Sequence, residues 1–463
     1  MLFNEQSPRE LKISDLQKAF FRPVDIASSV VYRIWFGIIM LYEVYRYFKY
    51  DWISRYWIEP ANNFTYWPFD FVKPLPGETM YYVFYLMGIL SIFIIVGYRY
   101  RLSSILFFLV FSYTFLLEQT RYMNHFYLVC LLGFVNCFLP LEKEWSLDAK
   151  RRPQKASSHV HAWVLYLIQA MIAIPYFFGG VAKINPDWFR GKPLDIWLSP
   201  ELDIPLIGPF LDEQWMILLL SYSGLLLDLL IVPALIYKRT RLPAFIFITL
   251  FHLMNSQFFQ IGIFPWFMIG ASTIFFRPDW PRRFLAKLKF LNQKAVAGRP
   301  LALHAPSIRT QKTITVLLCA WLLLHIFLPF RHHLYPGNVS WTEEGHRFAW
   351  HMKLRTKRGK GVFRAVDRQT GEVYRIKGKD YMDRWQWNKA IVRPYLIWQF
   401  ARIIQEDFAE RGIDVAVFAD LKAKLNGRPY QQFTDPEIDL TSVPRPIFFH
   451  SEWILPLETP LPE

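Results

Sequence analysis

The sequence predicts an all-α polytopic membrane helix bundle of about nine spans over residues 1–330, then a smaller β-rich α+β domain over 331–463 on the outer side. Three observations predict it. Hydrophobic residues make up 53% of the 463 and charged residues only 20%, which excludes intrinsic disorder and demands a membrane or a very large core. Apolar runs long enough to cross a hydrocarbon layer of about 30 Å as helices recur before residue 330. After Phe330 the chain becomes mixed polar and aromatic, with no further run of that length.

The runs lie near 27–47, 80–97, 102–118, 122–139, 160–181, 214–237, 243–258, 260–276 and 312–329. Glu5, Arg9 and Glu10 precede the first of them, so a cleavable signal is not expected and the first span directs insertion. With the N-terminus inside, the inner segments hold Lys12, Arg99, Arg101, Lys150, Arg151, Arg152, Lys238, Arg239 and the basic 277–312 stretch with Lys289, Lys294 and Arg299. The outer loops hold only Lys49, Arg55, Lys73, Arg121, Lys183, Arg190 and Lys192. Basic residues are retained inside, so this asymmetry predicts an outer C-terminal domain. The net charge of +15 then follows from contact with anionic headgroups, without nucleic acid as a partner. Cys130, Cys137 and Cys319 all fall in apolar runs and read as small buried hydrophobes, not a disulfide framework.

In the second domain, strand-like residues over 346–376 with Gly and Asp at the turns predict a β-hairpin. Residues 393–411 have helical spacing ended by Gly412, and the strand-like run from Asp414 to Leu425 precedes an Asn-Gly turn signal.

Polar groups at membrane depth are costly and usually face a bundle interior or a wet cavity. Asn124 and His125 open the fourth run, just after Glu118 closes the third. Lys183 ends the fifth, and His252, Asn255 and Gln257 sit in the seventh. At a rise of about 1.5 Å per residue all of them fall in the outer half, where a shared polar pocket can form. Gly179 and Gly180 allow a close neighbour there. The blander alternatives are that Lys183 snorkels to the headgroups, that Asn124 and His125 only cap their helix, and that Arg33, Glu43 and Asp228 pair internally. His159 and His161 form an HxH without a third ligand nearby, so no metal site is expected. Nucleotide, dinucleotide, zincin and serine-hydrolase motifs are absent from the sequence.

The segments YMNHFYL, FGGVAKINPDW, SGLLLDL, FHLMNSQFFQIGIF, LPFRHHLYPGNVSWTEEGHRFAWHMK and FTDPEIDL resemble the vitamin K-dependent γ-glutamyl carboxylases and their bacterial HTTM-domain relatives, in order from about residue 20 to 455. The resemblance implies an integral enzyme of the bacterial cytoplasmic membrane. Its cofactor would be vitamin K hydroquinone, with O2 and CO2 as co-substrates and no metal. Oxygenation to the epoxide would drive carboxylation of glutamate in a peptide or protein partner. The resemblance also implies that Lys183 is the catalytic base and Asn124-His125 its companion pair. His252, with Asn255 and Gln257 in the same segment, would contact the quinone, and Trp341, Trp350 and Met352 would line the site. The family's paired lysines are here Ala182-Lys183, and its external disulfide has no cysteine in this chain. A quinone epoxidase without carboxylation and a non-catalytic membrane transporter or lipid-binding protein are the alternatives. A transporter would be expected to carry polar residues through the inner half as well.

The charge asymmetry yields a direct expectation. A cysteine introduced at Gly371 should react with a membrane-impermeant thiol reagent in intact cells, and labelling only after lysis would overturn the orientation.

Overall fold

The computed structural model describes residues 13–199, 208–259, 261–288, 303 and 306–461. Glu5, Arg9, Glu10, Lys12, Lys289, Lys294 and Arg299, and Gln260 at the start of the eighth predicted run, lie outside these residues. Helices occupy the nine predicted runs. They are α2 (Ala27–Lys49), α3 (Thr79–Val96), α4 (Tyr100–Leu116), α5 (Asn124–Asn136), α6 (Ala162–Ala182), α7 (Gln214–Ile236), α8 (Arg241–Phe258), α9 (Phe264–Ser272) and α10 (Ile308–Phe327), preceded by a short α1 (Ile13–Phe21).

Among the described residues only α2, α3, α6, α7 and α10, the last with its continuation to Leu334, are both long and apolar enough to cross a membrane. The difference from nine has a geometric reason. The 13 residues of α5 rise only about 20 Å, short of the hydrocarbon thickness, and α4 and α9 are also short apolar helices. α8 reaches 18 residues but carries His252, Asn255 and Gln257. α2 packs on α3, α3 on α4, α4 on α5, and α6 on α7. A small antiparallel ribbon of β1 (Pro23–Asp25) and β2 (His159–His161) holds the N-terminal segment against the entry to α6. Arg33 is buried in α2 and donates to the carbonyls of Leu141 (2.7 Å) and Trp145 (2.7 Å), while Glu43 pairs with Arg46 (2.6 Å). Both groups therefore find partners without reaching the outer cavity.

The α+β region has a four-stranded sheet in the order β4-β3-β5-β6, formed by β3 (Lys357–Asp367), β4 (Val373–Ile376), β5 (Val415–Leu425) and β6 (Gln431–Gln432). β3 and β5 pair antiparallel along their whole length, Lys357 opposite Leu425 and Asp367 opposite Val415. Alternate residues of β5 face α11 (Pro394–Glu410), where Leu396, Phe400 and Ile404 build the second core. Gly412, at φ +79°, follows the helix as the sequence predicted, and Asn426-Gly427 turn the chain after β5 at φ +49° and +82°. The predicted hairpin is shorter than its sequence signal. Residues 346–356 are not a strand, because Phe348, Trp350 and Lys353 adopt positive φ and the segment's backbone is spent on bonds to the bundle.

Side-chain bonds clamp the α+β region over the C-terminal end of α6 and the connection between α4 and α5. Asp187, just beyond α6, accepts two bonds from the Arg428 guanidinium (2.7 and 2.8 Å) and one from Asn426 (2.7 Å). Glu118 accepts from Thr120, Asn63 and Gln386, and Thr65 and Gln399 exchange two bonds. Removing one partner of a buried ion pair typically costs about 3–5 kcal/mol. Arg428→Met should therefore lower the unfolding temperature markedly, whereas Arg358→Met, on β3 away from this clamp, should not. Equal stability of the two variants in a thermal melt would show that the clamp holds nothing.

Candidate functional site

Lys183 stands at the C-terminal cap of α6, where an exposed lysine would reach for headgroups. Its side chain instead turns inward. Nζ lies 2.5 Å from Asp228 Oδ2 on α7 and donates to the Gly179 carbonyl at 3.2 Å, and the residue is only 7% exposed. The snorkelling alternative therefore does not describe it, and the internal pairing expected of Asp228 is a pairing with this lysine. Two glycines bring the pair together. A Cβ on Gly180 would stand 3.0 Å from the Leu229 backbone nitrogen, and one on Gly179 would meet Met352 Cε at 2.9 Å and Asp228 Oδ2 at 3.2 Å. Trp188 fixes the turn after Lys183, because its indole donates to the Ser221 carbonyl (2.9 Å) and its own carbonyl accepts from the Ser221 hydroxyl (2.6 Å).

Asn124 is fully employed. Its Oδ1 accepts from the Tyr122 hydroxyl (2.9 Å), and its Nδ2 donates to the His351 carbonyl (3.1 Å). The same tyrosine oxygen accepts from the Phe348 amide (2.8 Å), so the start of α5 carries the irregular strap of residues 346–356. The His125 ring lies against Phe126 and Phe264, and no hydrogen-bond partner reaches it among the described residues. His252 shares a 2.7 Å bond through Nε2 with the Tyr176 hydroxyl, and its buried Nδ1 has no partner.

One cavity of about 560 Å3 joins these groups, with Lys183, Asp228, Asn124, His125, His252, Asn255 and Met352 in its wall. Three of the expected residues do not line it. Gln257 is on the exposed side of α8, and Trp350 is buried behind the wall with its ring 5.1 Å from that of Tyr127. Trp341 likewise belongs to the core of the α+β region.

The cavity is chemically divided. Part of its wall is apolar, made of Tyr176, Leu220, Phe251, Phe258 and Phe264, whereas the end under the α+β region gathers Arg355, Lys357, Lys389 and Arg393 around one carboxylate, Glu343, with Lys353 over the rings of Trp197 and Phe259. Arg355 Nη2 reaches Glu343 at 2.7 Å, but its buried Nη1 has no partner. Lys357 donates to the carbonyls of Trp341 and Val392 and lies 4.0 Å from Glu343. Burial pushes its ammonium down to about 7, with Arg355 and Arg393 adding repulsion against the pull of Glu343. So many cations around one acid favour a bound anion. Sequence reasoning overlooked this end because these basic residues fall in polar sequence, where charge is unremarkable. Asp228, an acid inside an apolar run, did carry a signal in the sequence.

The family model described as the HTTM domain matches residues 21–280. The model described as the vitamin K-dependent gamma-carboxylase lumenal domain matches residues 310–460. No solved structure matches the chain.

The outer end should bind a small carboxylate in a pH-dependent way. Lys357 carries its charge below about 7, and burial holds His351 near 3 and His346 well below its ordinary value, so both imidazoles are neutral throughout. Propionate should therefore raise the unfolding temperature more at pH 6 than at pH 8.5. Equal protection at both values would place the anion elsewhere.

Proposed function

Because the chain belongs to the HTTM family, whose model covers more than half of it, and continues into a carboxylase lumenal domain, we propose that it is a vitamin K-dependent γ-glutamyl carboxylase. One observation carries this reading. A single cavity holds a lysine–aspartate pair and two imidazoles at an apolar end and a cation cluster at the other. The first arrangement suits a quinol from the membrane and the second suits a peptide carboxylate, which a quinone epoxidase without carboxylation would not require.

The nine helical runs are read as membrane segments, with the N-terminus inside a bacterial cytoplasmic membrane and the α+β region outside. Vitamin K hydroquinone fits the donors available, since His252 Nδ1 is a buried polar atom in want of a partner. On reaction with O2 the hydroquinone supplies the strong base that no side chain provides. The protein's own groups prepare that step. Lys183 is the base that takes the quinol proton, and Asp228 with the Gly179 carbonyl holds its Nζ in the cavity wall. His125 and the Nδ1 of His252 hold the quinol oxygens. Asn124 acts through position, because its Oδ1 accepts from Tyr122 and its Nδ2 donates to His351 of the strap. Arg355 and Lys357 hold the glutamate γ-carboxylate, so that loss of a γ-proton leaves an electron pair that forms the new bond to CO2. The same cations then neutralise the second carboxylate, and the aromatic walls exclude water.

General acid–base groups contribute about 10²–10⁴-fold to rate. Lys183→Arg, which keeps charge and reach but cannot become neutral, should lose about 10²-fold or more of epoxide formation, with near-normal thermal stability. Asp228→Asn should fall with it. The assay is purified protein with vitamin K hydroquinone, O2, labelled bicarbonate and a glutamate peptide, scoring epoxide and fixed label separately. A Lys183→Arg enzyme with most of its epoxidase activity would sink the assignment. Epoxide without fixed label in the unaltered protein would favour the epoxidase reading.

A further inference from the structure

Three segments remote in sequence meet at the outer rim of the bundle. They are residues 67–75 before α3, the stretch after α10 that ends in Leu334-Tyr335, and residues 445–449. They are stapled together. Arg445 makes a two-bond pair with Asp70 (2.7 and 2.8 Å), the Tyr335 hydroxyl donates to the Ile447 carbonyl (3.1 Å), and the Trp67 and Phe448 rings meet edge to face at 5.2 Å. Despite this order the apolar tips point outward, with Leu334 82%, Phe449 78% and Phe71 77% exposed. A contiguous apolar patch on an otherwise polar region marks a surface that something covers.

The helices say what covers it. The Tyr113 hydroxyl, less than one turn from the end of α4, donates to the Lys73 carbonyl at 2.9 Å, which fixes this loop at the level of the helix ends. Leu334 closes the apolar run that begins at Ile308. The patch is therefore continuous with the lipid-facing surface of the spans, and the charges beside it, Asp70 and Arg445, neutralise each other. Aromatic residues at that depth favour the boundary between headgroups and acyl chains.

We infer that Phe71, Leu334, Phe448 and Phe449 form a collar by which the α+β region sits in the outer leaflet of the bilayer, so that this region rests on lipid as well as on the helices. The inference needs the helices to cross a membrane and is independent of the reaction catalysed. It predicts that the cavity mouth keeps a fixed tilt to the membrane surface.

The test uses the full chain in phosphatidylcholine nanodiscs, with Cys130, Cys137 and Cys319 replaced by alanine. A bimane label is placed at Phe71→Cys, at Phe449→Cys or, as a reference, at Gln369→Cys in the β3–β4 turn. Lipids carrying a nitroxide near the headgroup should quench the first two labels several-fold more than the third. Quenching no stronger than at position 369 would overturn the collar. Shielding from both nitroxide lipid and aqueous iodide would also overturn it, because a second copy would then be the cover. Should Phe449→Cys fail to fold, Phe448→Cys reads the same surface.

Discussion

A lysine and an aspartate 2.5 Å apart where the helix bundle meets the α+β region are the constraint around which the other parts are arranged. Neither charge can be left alone at that depth, so α6 and α7 must approach until the two meet. Gly180 against Leu229 and Gly179 against Met352 supply that approach by removing the side chains that would prevent it. The turn after Lys183 then has little freedom. Trp188 is tied to α7 through Ser221, and Asp187, one residue earlier, is tied to Arg428 of the α+β region. A local electrostatic requirement thus becomes a long-range alignment of two regions of the chain.

The division within the cavity follows from that alignment. Its apolar end lies among helices whose outer surfaces meet lipid, and its cationic end is contributed by residues 353–393 of the region above. The irregular strap joins the two halves, bonded below to Tyr122 and Asn124. Positive φ at Phe348, Trp350 and Lys353 is the local strain accepted for that fit.

Much of this was legible in the sequence, for a simple reason. Lys183, His125 and His252 stand out because they interrupt apolar runs, and a helix register is enough to place them at one height. Azimuth was not used, and it explains Gln257. Three residues from His252, Asn255 lies about 60° away around a helix of 3.6 residues per turn, but Gln257 lies about 140° away and faces outward. Asp228 was visible, but its partner was not, since pairing depends on which helices adjoin. The strap read as a strand because its residues have strand propensity, and tertiary bonds overrode that preference. Arg355 and Lys357 gave no signal, because a basic residue in polar sequence gains meaning only when the fold encloses it.

The bonds between Thr65 and Gln399 join residues 334 positions apart, and the one between Gln386 and the Asn62 carbonyl joins residues 324 apart. This separation has a consequence in time. As the chain emerges from the ribosome, Asp187 is made well before Arg428 exists, and the loop at Asn62–Thr65 waits for Gln386 and Gln399 before its partners appear. The cavity is therefore closed only after the α+β region has been made. An interrupted chain holds the lysine and both imidazoles but no roof, and it lacks the cations that would receive a carboxylate. Order of synthesis thus sets the order in which the two parts of the cavity wall are assembled.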